Sequence, residues 1–217
     1  MVFEIAIDGP AGSGKSTVSE IVKEKLGFQR INSGNIYRAV TYALLDRYGN
    51  YDLDDPEIIE FIKNLSLNLN KDSIIYNGIE ISGFLRSKNI DIEVMKIAKP
   101  KYVREKVHCL QNFLIKTADY GLVMEGRDIG TNVLPNATLK IFLTASPEVR
   151  AKRRHNERPS VSYDETLKDI KRRDYEDINR VNGPLIAATD AIVVNTDNYT
   201  AQESAEVICN LFLNKTR

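Results

Sequence analysis

The sequence predicts an α/β protein: a parallel β-sheet core flanked by helices, with a small antiparallel β insert. Three observations lead there. Short apolar runs alternate with amphipathic helical stretches along most of the chain. A glycine-rich segment joins the first apolar run to the first helix. One internal stretch switches to the two-residue period of a half-exposed strand and carries an Asn-Gly turn. The chain has 217 residues, 42% of them hydrophobic, enough for a single domain with a buried core.

The elements follow in order. Phe3-Glu4-Ile5-Ala6-Ile7 reads as a buried strand. A helix from Lys15 places Val18, Ile21, Val22 and Leu26 on one face, and Gly27 stands where a helix stops. A second helix is expected with Ser33 as its N-cap and Ile36, Val40, Ala43 and Leu44 inward. A third begins near Pro56 with Ile58, Ile59 and Ile62. Leu65, Leu67 and Leu69 then alternate with polar residues as a strand would. Ile74-Ile75-Tyr76 and Ile79-Glu80-Ile81 flank Asn77-Gly78, the signature of a type I′ hairpin. This defines an insert at about 65–92 between core segments 1–64 and 93–217.

Beyond the insert, a long helix is expected near 100–119, with core strands at Leu122–Met124 and Leu139–Leu143. Ser146-Pro147-Glu148 is a helix start, with a cap, a proline and an acid in the first turn. Another helix at about 163–178 follows, then a strand at Ala191–Val194 and a last helix at about 201–214.

Composition excludes several classes. Lys+Arg and Asp+Glu are both 30, so the basic excess of a nucleic-acid coat is absent and no nucleic-acid partner is expected. The apolar run Val2–Ile7 is broken by Glu4. It is too short for a signal peptide or a membrane span, so a cytoplasmic protein without a membrane partner is expected. Cys109 and Cys209 show no C-x-x-C spacing and read as two reduced, buried thiols. A monomer is expected.

The chemistry starts at Gly9-Pro10-Ala11-Gly12-Ser13-Gly14-Lys15-Ser16-Thr17, whose first eight residues fit G-x-x-x-x-G-K-[ST] between a strand and a helix. Glycines let main-chain N–H groups wrap phosphate oxygens, and the positive end of the next helix faces the same anion. Lys15 supplies a charge for the β- and γ-phosphates, and the Ser16 hydroxyl can ligate Mg²⁺. A dinucleotide-binding reading fails, because Thr17 stands where glycine or alanine is needed.

Arg150, Arg153, Arg154 and Arg158 share one helical face. Four guanidiniums so close together call for an anionic partner. A phosphoryl-transfer transition state would serve, and a solvated surface is the plain alternative. Arg173, Asp177 and Arg180 form a second one-sided trio, placed beside a buried face expected at the apolar Leu167, Ile170 and Ile178. It reads either as a sugar- and charge-binding face or as a surface ion pair. Neither His108 nor His155 has a nucleophile at a telling distance, and both read as structural.

Further segments stand in order: Asn32-Ser33-Gly34-Asn35-Ile36-Tyr37-Arg38, Val103-Arg104-Glu105, Glu125-Gly126-Arg127-Asp128-Ile129-Gly130-Thr131 and Arg172-Arg173-Asp174 followed by Asp177 and Asn179-Arg180. With the glycine loop they make the sequence resemble the bacterial cytidylate kinases over nearly its whole length. The resemblance implies a P-loop kinase fold and transfer of the ATP γ-phosphoryl group to CMP or dCMP, with Mg²⁺ bound alongside ATP. It implies that residues 9–17 hold ATP. Ser33, Arg38 and Arg127 would bind the CMP phosphate, and Arg104 and Asp128 would read the cytosine. Arg173 and Asp177 would hold the ribose with Arg180 nearby. Lys15, Arg127, Arg153 and Arg154 would act in catalysis, and Arg150, Arg153, Arg154 and Arg158 would belong to a short lid at about 150–162 closing over the phosphates. Two positions depart from the family: Met95 stands where a serine is often found, and Glu125 where an aspartate is often found.

The alternatives are another P-loop small-molecule kinase, of shikimate or thymidylate type, and a GTPase or regulatory nucleotide-binding module. The last needs an N-K-x-D motif, and Asn70-Lys71-Asp72-Ser73 ends in serine instead.

Overall fold

The computed structural model describes residues 2–70, 73–157 and 159–217. The strands in chain order are β1 (Phe3–Asp8), β2 (Gln29–Asn32), β3 (Asn68–Leu69), β4 (Ile74–Tyr76), β5 (Ile79–Glu80), β6 (Gly121–Gly126), β7 (Leu139–Thr144) and β8 (Ile192–Asn195). The helices are α1 (Lys15–Leu26), α2 (Ser33–Tyr48), α3 (Pro56–Asn64), α4 (Lys88–Ile97), α5 (Lys101–Lys116), α6 (Pro147–Glu157), α7 (Tyr163–Asn179) and α8 (Ala201–Lys215). Residues 1–30 and 119–217 form one compact unit and residues 31–118 a second.

The first unit is built on a five-stranded sheet in the order β2-β6-β1-β7-β8. β1 runs parallel to both β6 and β7, and β7 runs parallel to β8. All six residues of β6 are buried, which explains its unbroken apolar run: a parallel strand is covered on both faces. Ile5, Ile7, Val123 and Ile141 of the sheet share a core with Val18 and Val22 of α1 and Ile208 and Phe212 of α8. Each such side chain contributes about 1.5–3 kcal/mol by leaving water. Asp8 lies in register with Gly126. The carboxyl ends of β1 and β6 therefore release the glycine loop and the Arg127-Asp128 segment side by side, where open α/β sheets place their ligands.

In the second unit α2 packs on α4 and α5, and α3 packs on α5. The antiparallel sheet β3-β4-β5 closes through Asn77 and Gly78, whose φ of 49° and 79° are those of a type I′ turn.

Several expectations change. The cap of α2 is Asn32, whose side chain accepts from the Asn35 N–H, and Ser33 is the first helical residue. The strand expected from Leu65 shrinks to Asn68–Leu69 because Leu65 still caps α3. All three leucines are buried nonetheless, so their alternation marked the inward side correctly. Residues 88–97 form a helix that the sequence reading did not place. The buried stripe of α7 is Thr166, Ile170, Arg173 and Asp177, while the apolar Ile178 faces outward. Of the two free cysteines, Cys209 is buried but Cys109 is exposed, on the side of α5 away from Val103 and Val107.

Candidate active site

The loop after β1 is held open by its main chain. Gly9, Gly12 and Gly14 have φ of 153°, 77° and 92°, a region that disfavours side chains. A Cβ at Gly9 would also overlap the carbonyl of Leu143. Lys15 opens α1 and is buried, with Nζ donating to the Pro10 carbonyl at 2.7 Å and to Ser13 Oγ at 3.4 Å. Burial, and after it the charge of Arg127, pushes the Lys15 ammonium well below the usual lysine range, while Glu125, Asp177 and Asp8 pull the other way. An anion entering the loop would favour the protonated form.

Two residues brace the loop from behind. Arg150, only 2% exposed, donates to the Ala145 carbonyl at 2.8 Å and the Ala11 carbonyl at 3.1 Å. It also meets both oxygens of Asp174, at 2.9 and 2.6 Å. Thr196 Oγ1 lies 3.2 Å from the Thr144 carbonyl and 3.5 Å from the Ser13 carbonyl, and accepts from Arg153 Nη1 at 3.0 Å. Arg153 Nη2 also bonds the Thr196 carbonyl at 2.6 Å, and Arg154 lies 4.0 Å from Asp169. Acids and carbonyls of the fold thus meet the α6 arginines, an answer to their crowding that helical spacing alone did not reveal. Arg158 lies outside the described residues.

Glu125, near the end of β6, gathers the start of α1. Ser16 Oγ donates to its Oε2 at 2.9 Å and Ser19 Oγ to its Oε1 at 3.2 Å, and Arg30 Nη2 lies 2.5 Å from Oε1. Sequence reasoning missed Arg30, which stands 95 residues from its partner with no local pattern to mark it.

Arg127 and the α7 residues do come together. Arg127 Nε donates to Asp177 Oδ2 at 2.8 Å, and Arg180 Nη1 lies 3.5 Å from Asp177 Oδ1. Burial works to raise the Asp177 carboxyl, but the charges of Arg127 and Arg180 and the Arg127 hydrogen bond hold it below the usual range. Arg180 Nη2 lies 3.4 Å from Asp128 Oδ1, while Asn132 Nδ2 donates to Asp128 Oδ2 at 2.9 Å. Arg173 pairs with Asp169 at 2.8 Å, one turn back along α7. Behind Asp128 the chain makes a π-helical turn, Ile129–Val133, whose first two N–H groups donate to the Asp8 carboxylate at 2.7 Å each. Burial raises the Asp8 carboxyl to about 6 despite those two bonds.

The second unit carries the remaining candidates on α2 and α5. Arg38 Nη1 sits 2.6 Å from Asp91 Oδ1 and donates to the Leu85 carbonyl at 2.9 Å. Arg104 is buried, its guanidinium 5.9 Å from the Tyr37 ring centroid. Ser33 Oγ accepts from Gln111 Nε2 at 2.7 Å. Met95 is half-buried on α4. His155 Nδ1 lies 2.8 Å from the Val161 carbonyl.

A parallel sheet that delivers a glycine-lysine loop to a helix start defines the P-loop kinase class of fold. Two solved structures share that fold. One, from Thermus thermophilus, has a TM-score of 0.52 at 17% identity, covering 100% of this chain and 98% of that one. The other, shikimate kinase from Bacteroides thetaiotaomicron, has a TM-score of 0.50 at 12% identity, covering 97% and 98%. Sequence relatives are more specific. The chain is 53% identical over 215 residues to the probable cytidylate kinase of Vairimorpha ceranae, covering 99% of each. It is 43% identical over 214 residues to the cytidylate kinase of Clostridium botulinum, covering 96% of this chain and 97% of that one. A family model described as cytidylate kinase matches residues 5–214. The chain belongs to the cytidylate kinase family and is an enzyme, a nucleoside monophosphate kinase.

Proposed function

We propose that this chain carries out its family's reaction, moving the γ-phosphoryl group of ATP to CMP or dCMP, with its charged residues divided between two nucleotides. The family match favours this reading over another small-molecule kinase. Main-chain N–H groups of residues 9–17 grip the ATP phosphates, and Lys15 places its charge on the group in transit. Such transfer needs positioning and charge stabilisation more than a strong base.

Ser33, Arg38 and Arg127 bind the acceptor phosphate. Arg104 and Asp128 read the cytosine: its N4 amine donates to the carboxylate, and its N3 and O2 accept from the guanidinium. Uracil would turn O4 toward Asp128 and be repelled, so UMP is the weaker acceptor. Arg173 and Asp177 hold the ribose with Arg180 beside them. Arg153 and Arg154 close over the phosphates as part of a lid at 150–162 within one kinase domain, and Arg150 braces the loop beneath.

Ser16 Oγ and Glu125 Oε2, two hard oxygen donors 2.9 Å apart, fit a Mg²⁺ ion carried in with ATP, which when bound would neutralise charge on the β- and γ-oxygens. Among the described residues no cluster of three or more His, Cys, Asp or Glu could hold a metal ion. No helix among the described residues is long and apolar enough to cross a membrane. We place the enzyme in the cytoplasm as a monomer, without nucleic-acid or membrane partners.

The observation that carries this reading is the buried Lys15 behind a loop shaped by glycines in a chain of this family. ATP consumption with CMP, dCMP, UMP and AMP as acceptors tests it. CMP and dCMP should lead, and Lys15→Ala should lose about 10³-fold in turnover. Near-normal turnover in that variant would refute the cradle.

A further inference from the structure

One buried polar contact in the second unit has no part in the roles above. Gln111 is only 1% exposed, and its Nε2 donates to Ser33 Oγ at 2.7 Å. Its Oε1 meets no hydrogen-bond partner among the described residues. Burying an amide with half its bonding capacity unmet is unfavourable, and a methionine of similar shape would fill the same space without that penalty. An amide kept in such a place points to a task other than packing.

Its surroundings indicate the task. Gln111 and Arg104 lie seven residues apart, two turns along one buried stripe of α5. Ser33 and Tyr37 lie four residues apart on the facing side of α2. Two rungs therefore link the helices: Gln111 with Ser33, and Arg104 over the ring of Tyr37. Ser33 opens α2, where the first main-chain N–H groups have no partner within the helix and the helix end is positive.

We propose that Gln111 is a positioning residue that sets the Ser33 hydroxyl as a donor to the acceptor phosphate. A serine hydroxyl has a single hydrogen. While Gln111 donates to Oγ, that hydrogen is turned away from α5 and is free to bond an anion at the start of α2. This rests on the assignment of Ser33 to the CMP phosphate.

Steady-state kinetics on the full chain tests it. Gln111→Met keeps the shape and removes the donor, and Gln111→Glu replaces the donor with an acceptor that draws the hydroxyl hydrogen inward. KM for CMP should rise about 5–10-fold in Gln111→Met and further in Gln111→Glu. kcat, KM for ATP and the CMP-to-UMP preference should stay within about twofold, because only the phosphate contact is weakened. Ser33→Ala should raise KM for CMP similarly, and adding Gln111→Met to it should change nothing more. Additive losses, or unchanged KM in both Gln111 variants beside an impaired Ser33→Ala, overturn the proposal while leaving the Ser33 assignment intact. Unchanged KM in Ser33→Ala overturns that assignment itself. Parallel losses in kcat, ATP binding and thermal midpoint in Gln111→Met would make the contact structural and also overturn the proposal.

Discussion

In residues 1–30 and 119–217 the site is made largely by main chain. Three glycines at positive φ shape the loop, and the register of β1 with β6 fixes where the Arg127-Asp128 segment begins. Three arginines there are held by acids of the same unit: Arg127 by Asp177, Arg150 by Asp174 and Arg30 by Glu125. In residues 31–118 the candidates instead project from helix faces and are met by side chains of neighbouring elements: Arg38 by Asp91, Arg104 by the ring of Tyr37 and Ser33 by Gln111. Main-chain geometry fails as a whole when one residue is wrong, whereas side chains aimed one by one fail by degrees. Substitutions in the first unit should therefore be the more damaging.

The sharpest way to break this contrast is Gly9→Ala. The new Cβ would collide with the Leu143 carbonyl, on backbone at a φ of 153° that a side chain resists. Main chain has nowhere to move in the middle of a sheet, so the loop must deform. Loss of about 10³-fold in kcat/KM and a stability cost of about 1–3 kcal/mol are expected. Turnover and urea unfolding measure the two. An active Gly9→Ala enzyme would show that the loop is less rigid than its geometry implies.

Asp177→Ala should come next, because Asp177 joins two arginines in the first unit. Its removal leaves Arg127 and Arg180 without their shared carboxylate. Breaking a buried pair on one side is far more costly than its net worth when intact. kcat/KM for CMP should fall about 100-fold, and the ratio of CMP to dCMP turnover should shift if the carboxylate meets the ribose. Equal losses with both acceptors would keep Asp177 as a holder of Arg127 and remove its sugar contact.

The same contrast decides what could be read from the sequence. The loop was legible because nine consecutive residues carry it and each has a local reason to be there. The hairpin was legible because Asn77-Gly78 is a local signal. Arg150 was visible as one of a run, but its use was not, since Asp174 is on another helix. Arg30 with Glu125 and Gln111 with Ser33 are bonded across 95 and 78 residues, and no periodicity encodes such distances. The face of α7 was misjudged around Ile178 because apolar residues were taken as the inward side. At a charged site the buried stripe is Arg173 and Asp177, and the isoleucine is left outside.

Asp8→Asn gives the smallest effect and tests whether the main-chain frame also governs a side chain. The Asp8 carboxylate holds the N–H groups of Ile129 and Gly130, the start of the turn that follows Asp128. Burial raises its pKa from 3.8 to about 6, with the charge of Asp128 adding to the rise and that of Lys15 opposing it. An acid whose pKa rises on folding keeps its proton longer in the folded state than in the unfolded one. Stability from this group is therefore highest below pH 3.8, falls as pH climbs toward about 6 and is level above that. Across that window the fall is ~3 kcal/mol at most. Activity should run the opposite way, since only the ionised form accepts both N–H groups fully, and kcat/KM should decline on acidification through about 6. Asparagine has a single acceptor and does not titrate. The variant should lose severalfold in kcat/KM at neutral pH, and neither the acid limb nor the extra stability at low pH should remain. Urea unfolding and turnover at about pH 4.5 and about pH 7.5 test both. An acid limb that survives in Asp8→Asn would belong to a different group, and the turn behind Asp128 would then owe its shape to the strand ends alone.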